Sequence, residues 1–317
     1  MEQAIKNLIE NSKTIAIFFH INPDADAIGS ALALKYALEK LGKNVTVFSQ
    51  DKPNDNLNSL LNKNNDLNFN VVSTKFDLGF VLDCPEISRI GEMSKVLANC
   101  KCVVNIDHHL YNENFTKFQI IDVNSSSTCE IMFNFIKSLK VDIDKNIAFC
   151  LYCGLATDSG CFMFNISQNI HKVANELVGF IDDVEQINYT LFREKSLSEI
   201  KLYGKSILNL ETFSDKLALV CLTLNDFKTT ESVLDDTIGL IFLLSGIKEV
   251  DVVCVVAEEK PNCYKASFRS KKVDVCNLAK IFGGGGHKFA SGCKIYGSKN
   301  TVKQKIITAV KGYLCME

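Results

Sequence analysis

Four short and nearly uninterrupted apolar runs, Thr14 to Phe19, Val45 to Phe48, Leu78 to Leu82 and Cys102 to Ile106, punctuate the chain up to about residue 125. A strand that is apolar on both sides must be covered on both sides, and helices between successive strands then give a largely parallel sheet. Ala27 to Leu41 carries apolar residues at helical spacing and stops at Gly42, as a helix does. The predicted class is therefore α/β, with an N-terminal, mainly parallel sheet and helices on both of its faces. Residues 128 to 212 read as mostly helical: one helix opens at Thr128-Cys129-Glu130-Ile131-Met132-Phe133 and another contains Ala148 to Ala156.

A second pattern starts near Lys216. Leu217 to Thr223 and Glu249 to Glu258 read as strands around a helix at Leu234 to Leu244, and Cys263 to Arg269 pairs with the strand before it across the turn-like Glu259-Lys260-Pro261-Asn262. The expected division is a larger domain over residues 1–195, a helical connector over 196–216 and a smaller α/β domain over 217–317. At 317 residues, 47% hydrophobic and 23% charged, the chain can bury a core in each.

Composition narrows the function. A net charge of −2 argues against a broad basic face that grips long nucleic acid, since such binding needs many phosphate contacts, but leaves small or short anionic substrates open. Thirteen cysteines, odd in number and scattered through apolar runs, fit a reducing compartment better than a disulfide framework. Cys150 and Cys153 form a CxxC without a second one to complete a zinc site, and read as core. The N-terminus lacks a basic region followed by a long apolar stretch, and no apolar segment reaches about 18 residues. The expectation is a cytoplasmic protein, neither secreted nor membrane-spanning.

Chemistry collects where the apolar runs stop. The first is followed by His20, Asn22, Asp24 and Asp26 before Gly29-Ser30 continues into a helix, the third by Asp83, and the fourth by Asp107-His108-His109. In an open parallel sheet, ligands bind outside the carboxyl ends of the strands. Two of the five histidines thus stand side by side at one strand end, where a core would prefer apolar residues. Asp158, in Ala156-Thr157-Asp158-Ser159-Gly160, reads alone as a helix cap or turn residue, but it completes the set. Mixed oxygen and nitrogen donors suit manganese, magnesium, iron or cobalt rather than a zinc–thiolate site, and two such ions sharing a carboxylate form a centre for phosphoryl hydrolysis.

The run Gly283 to Gly286 allows close backbone approach to an anion, as in phosphate-cradling nests, although a glycine run alone is more often a flexible loop. It is not a Walker A loop, because His287-Lys288-Phe289 follows it. His171, on a helix start, reads as a surface residue, and Arg193 and Lys195 as a solvated helix face.

Taken together, His20-Ile21-Asn22-Pro23-Asp24-Ala25-Asp26-Ala27-Ile28-Gly29-Ser30, Asp83, Asp107-His108-His109 and Thr157-Asp158-Ser159-Gly160 resemble the four motifs of the DHH phosphoesterase superfamily. Phe282-Gly283-Gly284-Gly285-Gly286-His287-Lys288-Phe289-Ala290-Ser291-Gly292 resembles the signature of the DHH-associated substrate domain. Length and motif order are most similar to the bifunctional oligoribonuclease and 3′-phosphoadenosine 5′-phosphate phosphatase group, the nanoRNases. The resemblance implies that residues 1–195 are a catalytic DHH domain and 217–317 a substrate-binding domain that closes over the substrate.

It further implies two divalent cations, manganese first with magnesium or cobalt as alternatives. His20 and Asp24 would bind one, Asp26, His108 and Asp158 the other, and Asp83 would bridge them. Asp107 would support the site, and His109 would face the scissile phosphate. Arg269, Ser270, Gly284, Gly285, Gly286 and His287 would form the pocket for the substrate's terminal phosphate and nucleotide, with the planar fork of Arg269 as the preferred phosphate ligand. Cys161 stands where relatives often carry arginine or another polar residue.

The activity implied is release of nucleoside monophosphates from short RNA or DNA oligonucleotides and dephosphorylation of 3′-phosphoadenosine 5′-phosphate, in a homodimer with no membrane partner. A phosphodiesterase for linear or cyclic dinucleotides (pApA, pGpG, cyclic di-AMP) is the alternative. A RecJ-type single-strand exonuclease is a lesser alternative, disfavoured by the lack of an added oligonucleotide-binding domain and of strong basicity. A family-II inorganic pyrophosphatase would have a different C-terminal domain, and intact metal ligands disfavour a non-catalytic nucleotide-binding regulator.

Overall fold

The computed structural model describes residues 1–213 and 216–315, apart from the side chains of His287 and Cys315. By its internal contacts the chain divides into Met1–Glu194 and Lys195–Glu317.

In the first unit the helices are α1 (Glu2–Glu10), α2 (Ala25–Lys40), α3 (Asp55–Leu61), α4 (Ser94–Leu97), α5 (Thr128–Ser138), α6 (Lys145–Asp158), α7 (Ile170–Val178) and α8 (Val184–Asn188). The strands are β1 (Thr14–Phe18), β2 (Asn44–Phe48), β3 (Leu67–Asn68), β4 (Leu78–Leu82), β5 (Val103–Asp107) and β6 (Phe118–Ile121). They form one sheet in the order β3-β2-β1-β4-β5-β6, parallel throughout. Strand alternation divides its apolar residues between two cores. Ile15, Ile17, Leu78 and Phe80 pack on the side of α1, α2, α5, α6 and α7, while Ala16, Phe18 and Val81 pack with Ile90, Met93, Val96 and Leu97 on the other. Covering both faces is what the near-continuous apolar runs require. The four expected strands form within a residue or two of their predicted bounds. The two edge strands β3 and β6 were not foreseen: β3 has only two residues, and β6 is a four-residue stretch, Phe118-Gln119-Ile120-Ile121, interrupted by a polar side chain.

The second unit contains α9 (Leu197–Leu208), β7 (Glu211–Phe213), β8 (Leu217–Leu222), α10 (Leu224–Thr230), α11 (Thr237–Leu244), β9 (Val252–Lys260), β10 (Cys263–Ser270), α12 (Val275–Lys280), β11 (Gly285–His287), β12 (Ala290–Tyr296) and α13 (Lys299–Cys315). Its mixed sheet runs β11-β12-β10-β9-β8-β7. β8 and β9 are parallel and the other neighbours antiparallel, including the expected β9–β10 pair. Helices α9, α10 and α11 cover one face, α12 and α13 the other. The helix expected as a separate connector over 196–216 is part of this unit: Leu202 and Tyr203 of α9 are buried with Ala218 and Val220 of β8, and β7 is an edge strand of the same sheet. Among the described residues no helix is long and apolar enough to cross a membrane.

Candidate metal centre

Chain order reverses between β1 and β4, which lie side by side: β2 and β3 extend the sheet one way, β5 and β6 the other. Loops leaving two such strands diverge and open a crevice at their carboxyl ends. His20 follows β1, Asp83 follows β4, and Asp107 ends the neighbouring β5, so the crevice is lined by the residues the apolar runs deliver. Asp24 is the N-cap of α2. Its Oδ1 accepts the N–H groups of Asp26 at 3.1 Å and Ala27 at 3.0 Å, while its Oδ2 lies 3.8 Å from His20 Nε2. One carboxylate thus caps a helix and still offers a free oxygen to the site. Asp83 adopts the left-handed φ of 51°, a strained conformation that sets its side chain at the strand end.

The carboxylate of Asp83 is divided. Its Oδ2 lies 3.4 Å from His20 Nε2, and its Oδ1 lies 3.6 Å from His108 Nε2, which in turn lies 3.2 Å from Asp158 Oδ2. Three groups, His20–Asp24–Asp83, Asp26–His108–Asp158 and Asp83–His108–His109, each bring a donor atom from every member within 4.8 Å of the others. His108 and Asp158, at 3.2 Å, are at the edge of hydrogen-bond range, and the 3.4–3.8 Å separations are beyond it. They match donors arranged about 2.1 Å from a common divalent ion.

The electrostatics make the same case. Burial, with the neighbouring charges of Asp158 and Asp83, holds the Asp26 carboxyl well above its ordinary range. Burial also brings Asp158 up to about 6, although His108 opposes the shift. Burial works against the charged forms of His20 and Asp83 as well, but each is overcome by its neighbours: Asp24 and Asp83 raise His20 well above its usual value, and His20, His109 and His108 lower Asp83. So many acids in so small a buried volume are neutralised by protons or by cations. The donor set fits cations. His20 Nδ1 bonds the Ile21 carbonyl at 2.8 Å, which orients the ring and leaves Nε2 as the donor atom facing Asp83.

Asp107 backs these donors, and His109, whose Nδ1 lies 3.6 Å from Asp83 Oδ1, belongs to one of the three groups. Asp107 is fully buried: its Oδ1 accepts the His108 N–H at 2.9 Å and bonds His109 Nδ1 at 2.7 Å, and its Oδ2 accepts Asn112 Nδ2 at 2.7 Å. Asn112 also donates to Asn105 Oδ1 at 2.9 Å, and buried Asn105 donates to the Val81 and Cys84 carbonyls at 3.1 and 3.2 Å. The two asparagines join the end of β5 to the end of β4 and fix the His109 ring. Neither was singled out from the sequence, although an amide inside the apolar run Val104-Asn105-Ile106 is a visible anomaly.

Asp26 and Asp158 come from two helices that cross at glycines. A Cβ at Gly29 of α2 would meet the Cys150 carbonyl oxygen at 2.4 Å, and one at Gly154 of α6 would meet Cys129 Sγ at 2.4 Å and Asp26 Cα at 2.8 Å. Asp158 follows Gly154 by one turn, so this close crossing brings it to the same donor group as Asp26. Cys150 and Cys153 are buried in the same core, and burial raises both thiols, in keeping with core cysteines rather than a zinc site. Thr128 at the start of α5, also missed in the sequence, donates its hydroxyl to Asp83 Oδ1 at 3.1 Å. Cys161 has a left-handed φ of 56° in the turn after Asp158. His171 is exposed and lies 5.4 Å, ring to ring, from Phe162; Lys195 pairs with Glu199 at 3.4 Å.

In the second unit the expected pocket residues are largely engaged in their own fold. Arg269, near the end of β10, is half-buried and donates Nη1 to the Phe268 carbonyl at 2.9 Å. The Ser270 hydroxyl donates to the Asp251 carbonyl at 2.7 Å and accepts the N–H groups of Lys272 at 3.1 Å and Val273 at 2.8 Å. The glycine run is not an open nest. Gly283 and Gly284 give their N–H groups to the Lys280 and Ala279 carbonyls of α12, and Gly285–His287 is a strand paired with β12. A Cβ at Gly284 would meet the Gly292 carbonyl oxygen at 2.2 Å, and one at Gly286, where φ is 137°, the Ala290 carbonyl oxygen at 2.6 Å. Gly285 alone of these three has open space around that position. The side chain of His287 lies outside the described residues.

Residues 14–155 match the DHH family N-terminal domain and residues 216–314 the DHHA1 domain. The chain is 31% identical over 302 residues to the bifunctional oligoribonuclease and PAP phosphatase NrnA of Thermus thermophilus, covering 94% of this chain and 89% of the relative. It is 26% identical to the Bacillus subtilis protein of the same name over 89% of this chain and 90% of that one. Among solved structures, an exopolyphosphatase-related protein from Bacteroides fragilis superposes with a TM-score of 0.92 at 30% identity, covering 98% of this chain and 96% of that one. With both family domains in order and acids and imidazoles gathered where that family binds divalent metals, the chain belongs to the DHH family and is a phosphoesterase.

Proposed function

We propose that this phosphoesterase uses two divalent cations, manganese by preference, to hydrolyse short oligonucleotides to nucleoside monophosphates and to dephosphorylate 3′-phosphoadenosine 5′-phosphate. The observation that carries the two-ion reading is the division of Asp83, one oxygen toward His20 and the other toward His108. In this reading His20 and Asp24 hold one ion, Asp26, His108 and Asp158 the other, and Asp83 is shared. Such a pair supplies an activated water and neutralises charge on the scissile phosphate. The chain's own groups do the rest. Asp107 bonds the His109 ring at Nδ1 and so fixes the orientation in which this imidazole would meet a phosphate oxygen.

Arg89 is a second anion contact in the same unit. The chain uses arginine only at positions 89, 193 and 269, against 32 lysines, so arginine marks places where a planar fork matters. The Arg89 carbonyl accepts the Ile21 N–H at 2.7 Å, which ties its segment to the loop after β1. Its half-buried guanidinium has no hydrogen bond or ion pair among the described residues. In the second unit, Arg269 and the open backbone at Gly285 are the corresponding candidates. The choice of oligonucleotides and 3′-phosphoadenosine 5′-phosphate rests on the names carried by the Thermus thermophilus and Bacillus subtilis relatives.

The test is turnover of 3′-phosphoadenosine 5′-phosphate, an RNA pentanucleotide, pApA, pGpG, cyclic di-AMP and pyrophosphate, each with manganese and with magnesium. The first two substrates are expected to turn over fastest, and faster with manganese. Turnover confined to dinucleotides or to pyrophosphate would overturn the substrate assignment, and no dependence on added metal would overturn the two-ion reading.

A further inference from the structure

The start of α5 touches both donor groups of the candidate centre. The Thr128 N–H donates to Asp26 Oδ2 at 2.7 Å, and the Cys129 N–H donates to Asp26 Oδ1 at 2.8 Å. These two N–H groups lie in the first turn, where a helix has no internal acceptor for them, and Asp26 supplies one from α2. Thr128 also donates its hydroxyl to Asp83 Oδ1 at 3.1 Å. Thr128 and Asp26 are fully buried and Asp83 is 2% exposed, so water does not substitute for either bond. One residue therefore holds Asp26, from the Asp26–His108–Asp158 group, and Asp83, which belongs to the other two.

The helix start is itself locked. Ser127 caps it, accepting the Glu130 N–H at 3.1 Å. Glu130 in a usual capping box would return to the cap residue's own N–H. Here its Oε2 accepts both the N–H and the hydroxyl of Ser126 at 2.7 Å, and its Oε1 accepts the Ser167 hydroxyl at 2.5 Å. Glu130 is 2% exposed and has no cation beside it among the described residues. Its three hydrogen bonds tie the loop before α5 to the segment after Asp158. A buried carboxylate satisfied only by neutral donors is a costly device to retain for capping alone.

We propose that Thr128 is a positioning residue that couples the two cation sites: its main chain fixes Asp26, its hydroxyl fixes the orientation of the shared Asp83, and Glu130 holds the helix start that makes both contacts. This rests on the two-ion reading above. Thr128→Val keeps the side-chain shape and the N–H bond to Asp26 but removes the bond to Asp83; Thr128→Ser keeps that bond. Partners of metal ligands contribute roughly 10–100-fold in metal affinity.

The test is manganese titration of the full chain, with calorimetry for stoichiometry and electron paramagnetic resonance for coupling between the ions. Wild type is expected to bind two ions with an exchange-coupled spectrum. Thr128→Val is expected to keep the first ion, to weaken the second at least about tenfold and to lose the coupled spectrum; Thr128→Ser is expected to restore both. A Thr128→Val protein with a wild-type spectrum and second-site affinity within twofold of wild type would overturn the proposal. Wild type that binds a single ion overturns the two-ion reading, and the proposal with it. If the valine is not tolerated, Thr128→Ala makes the same comparison, since it too keeps the N–H and lacks the hydroxyl. Glu130→Gln, which keeps the volume but weakens the acceptor, is expected to reproduce the loss in part; wild-type coupling in that variant would remove Glu130 from the device.

Discussion

At the carboxyl edge of the N-terminal sheet, Asp26, Asp83 and Asp158 crowd three imidazoles at separations of 3.2–3.6 Å, whereas in the C-terminal unit Ser270 and two of the glycine N–H groups are fully engaged in turns and caps. The first arrangement is incomplete without positive charge. The second is complete as a fold, with Arg269 bonded to the Phe268 carbonyl and open space at Gly285, the two places proposed above to meet a ligand. Surplus buried charge marks the candidate centre, and satisfied polar groups mark a scaffold. A resemblance in motif alone does not separate these, because both segments are equally distinctive as text.

Substitutions can break this contrast, and the largest effect is expected at Asp83. Asp83→Ala or His108→Ala should take metal-dependent hydrolysis to background, a loss beyond the roughly hundredfold that removing a ligand's partner costs, with the circular dichroism spectrum unchanged. Full activity in either variant would sink the ligand assignment. Gly154→Ala comes next: its Cβ would meet Asp26 Cα at 2.8 Å, so the variant should lose about 1–3 kcal/mol of stability in denaturant melts and most of its affinity for the second ion. Wild-type metal binding there would show that the helix crossing does not set the site.

Arg89→Lys sharpens the comparison within the N-terminal unit. It keeps the charge and loses the fork, and steady-state kinetics should show KM up about tenfold with kcat nearly unchanged, in line with a charge-assisted hydrogen bond worth about 1.5–3 kcal/mol. An unchanged KM would leave Arg89 without a substrate role. The smallest effects belong to the glycines. Gly286→Ala, at a left-handed φ and against the Ala290 carbonyl, should cost about 1–3 kcal/mol of stability. Gly285→Ala should stay within about 0.5 kcal/mol of wild type while raising KM, because the space it fills is not occupied by the protein. Equal stability loss in both variants would make the whole run structural.

Some of this was legible in the sequence. Apolar runs ending in His20, Asp83 and Asp107-His108-His109 mark strand ends, because the hydrophobic pattern stops there. Asp158 was legible only as part of a set, because as a single residue it is indistinguishable from a helix cap. β11 was hidden because glycines do not look like a strand, and the role of Thr128 was hidden because its partners lie elsewhere in the chain: it is 102 residues from Asp26 and 45 from Asp83. The helix at Leu197–Leu208 was foreseen, but not its membership of the second unit, which depends on which sheet buries Leu202 and Tyr203.

The sequence by itself determined the residue types of the candidate centre and their place at strand and helix ends, because periodicity and chemistry are local properties of the chain. Only the tertiary structure decided the strand order that sets β1 beside β4, the glycine-mediated crossing of α2 and α6 that joins Asp26 to Asp158, and the division of the Asp83 oxygens. Each depends on contacts between segments distant in sequence, where packing and hydrogen-bond satisfaction, rather than local preference, select one arrangement.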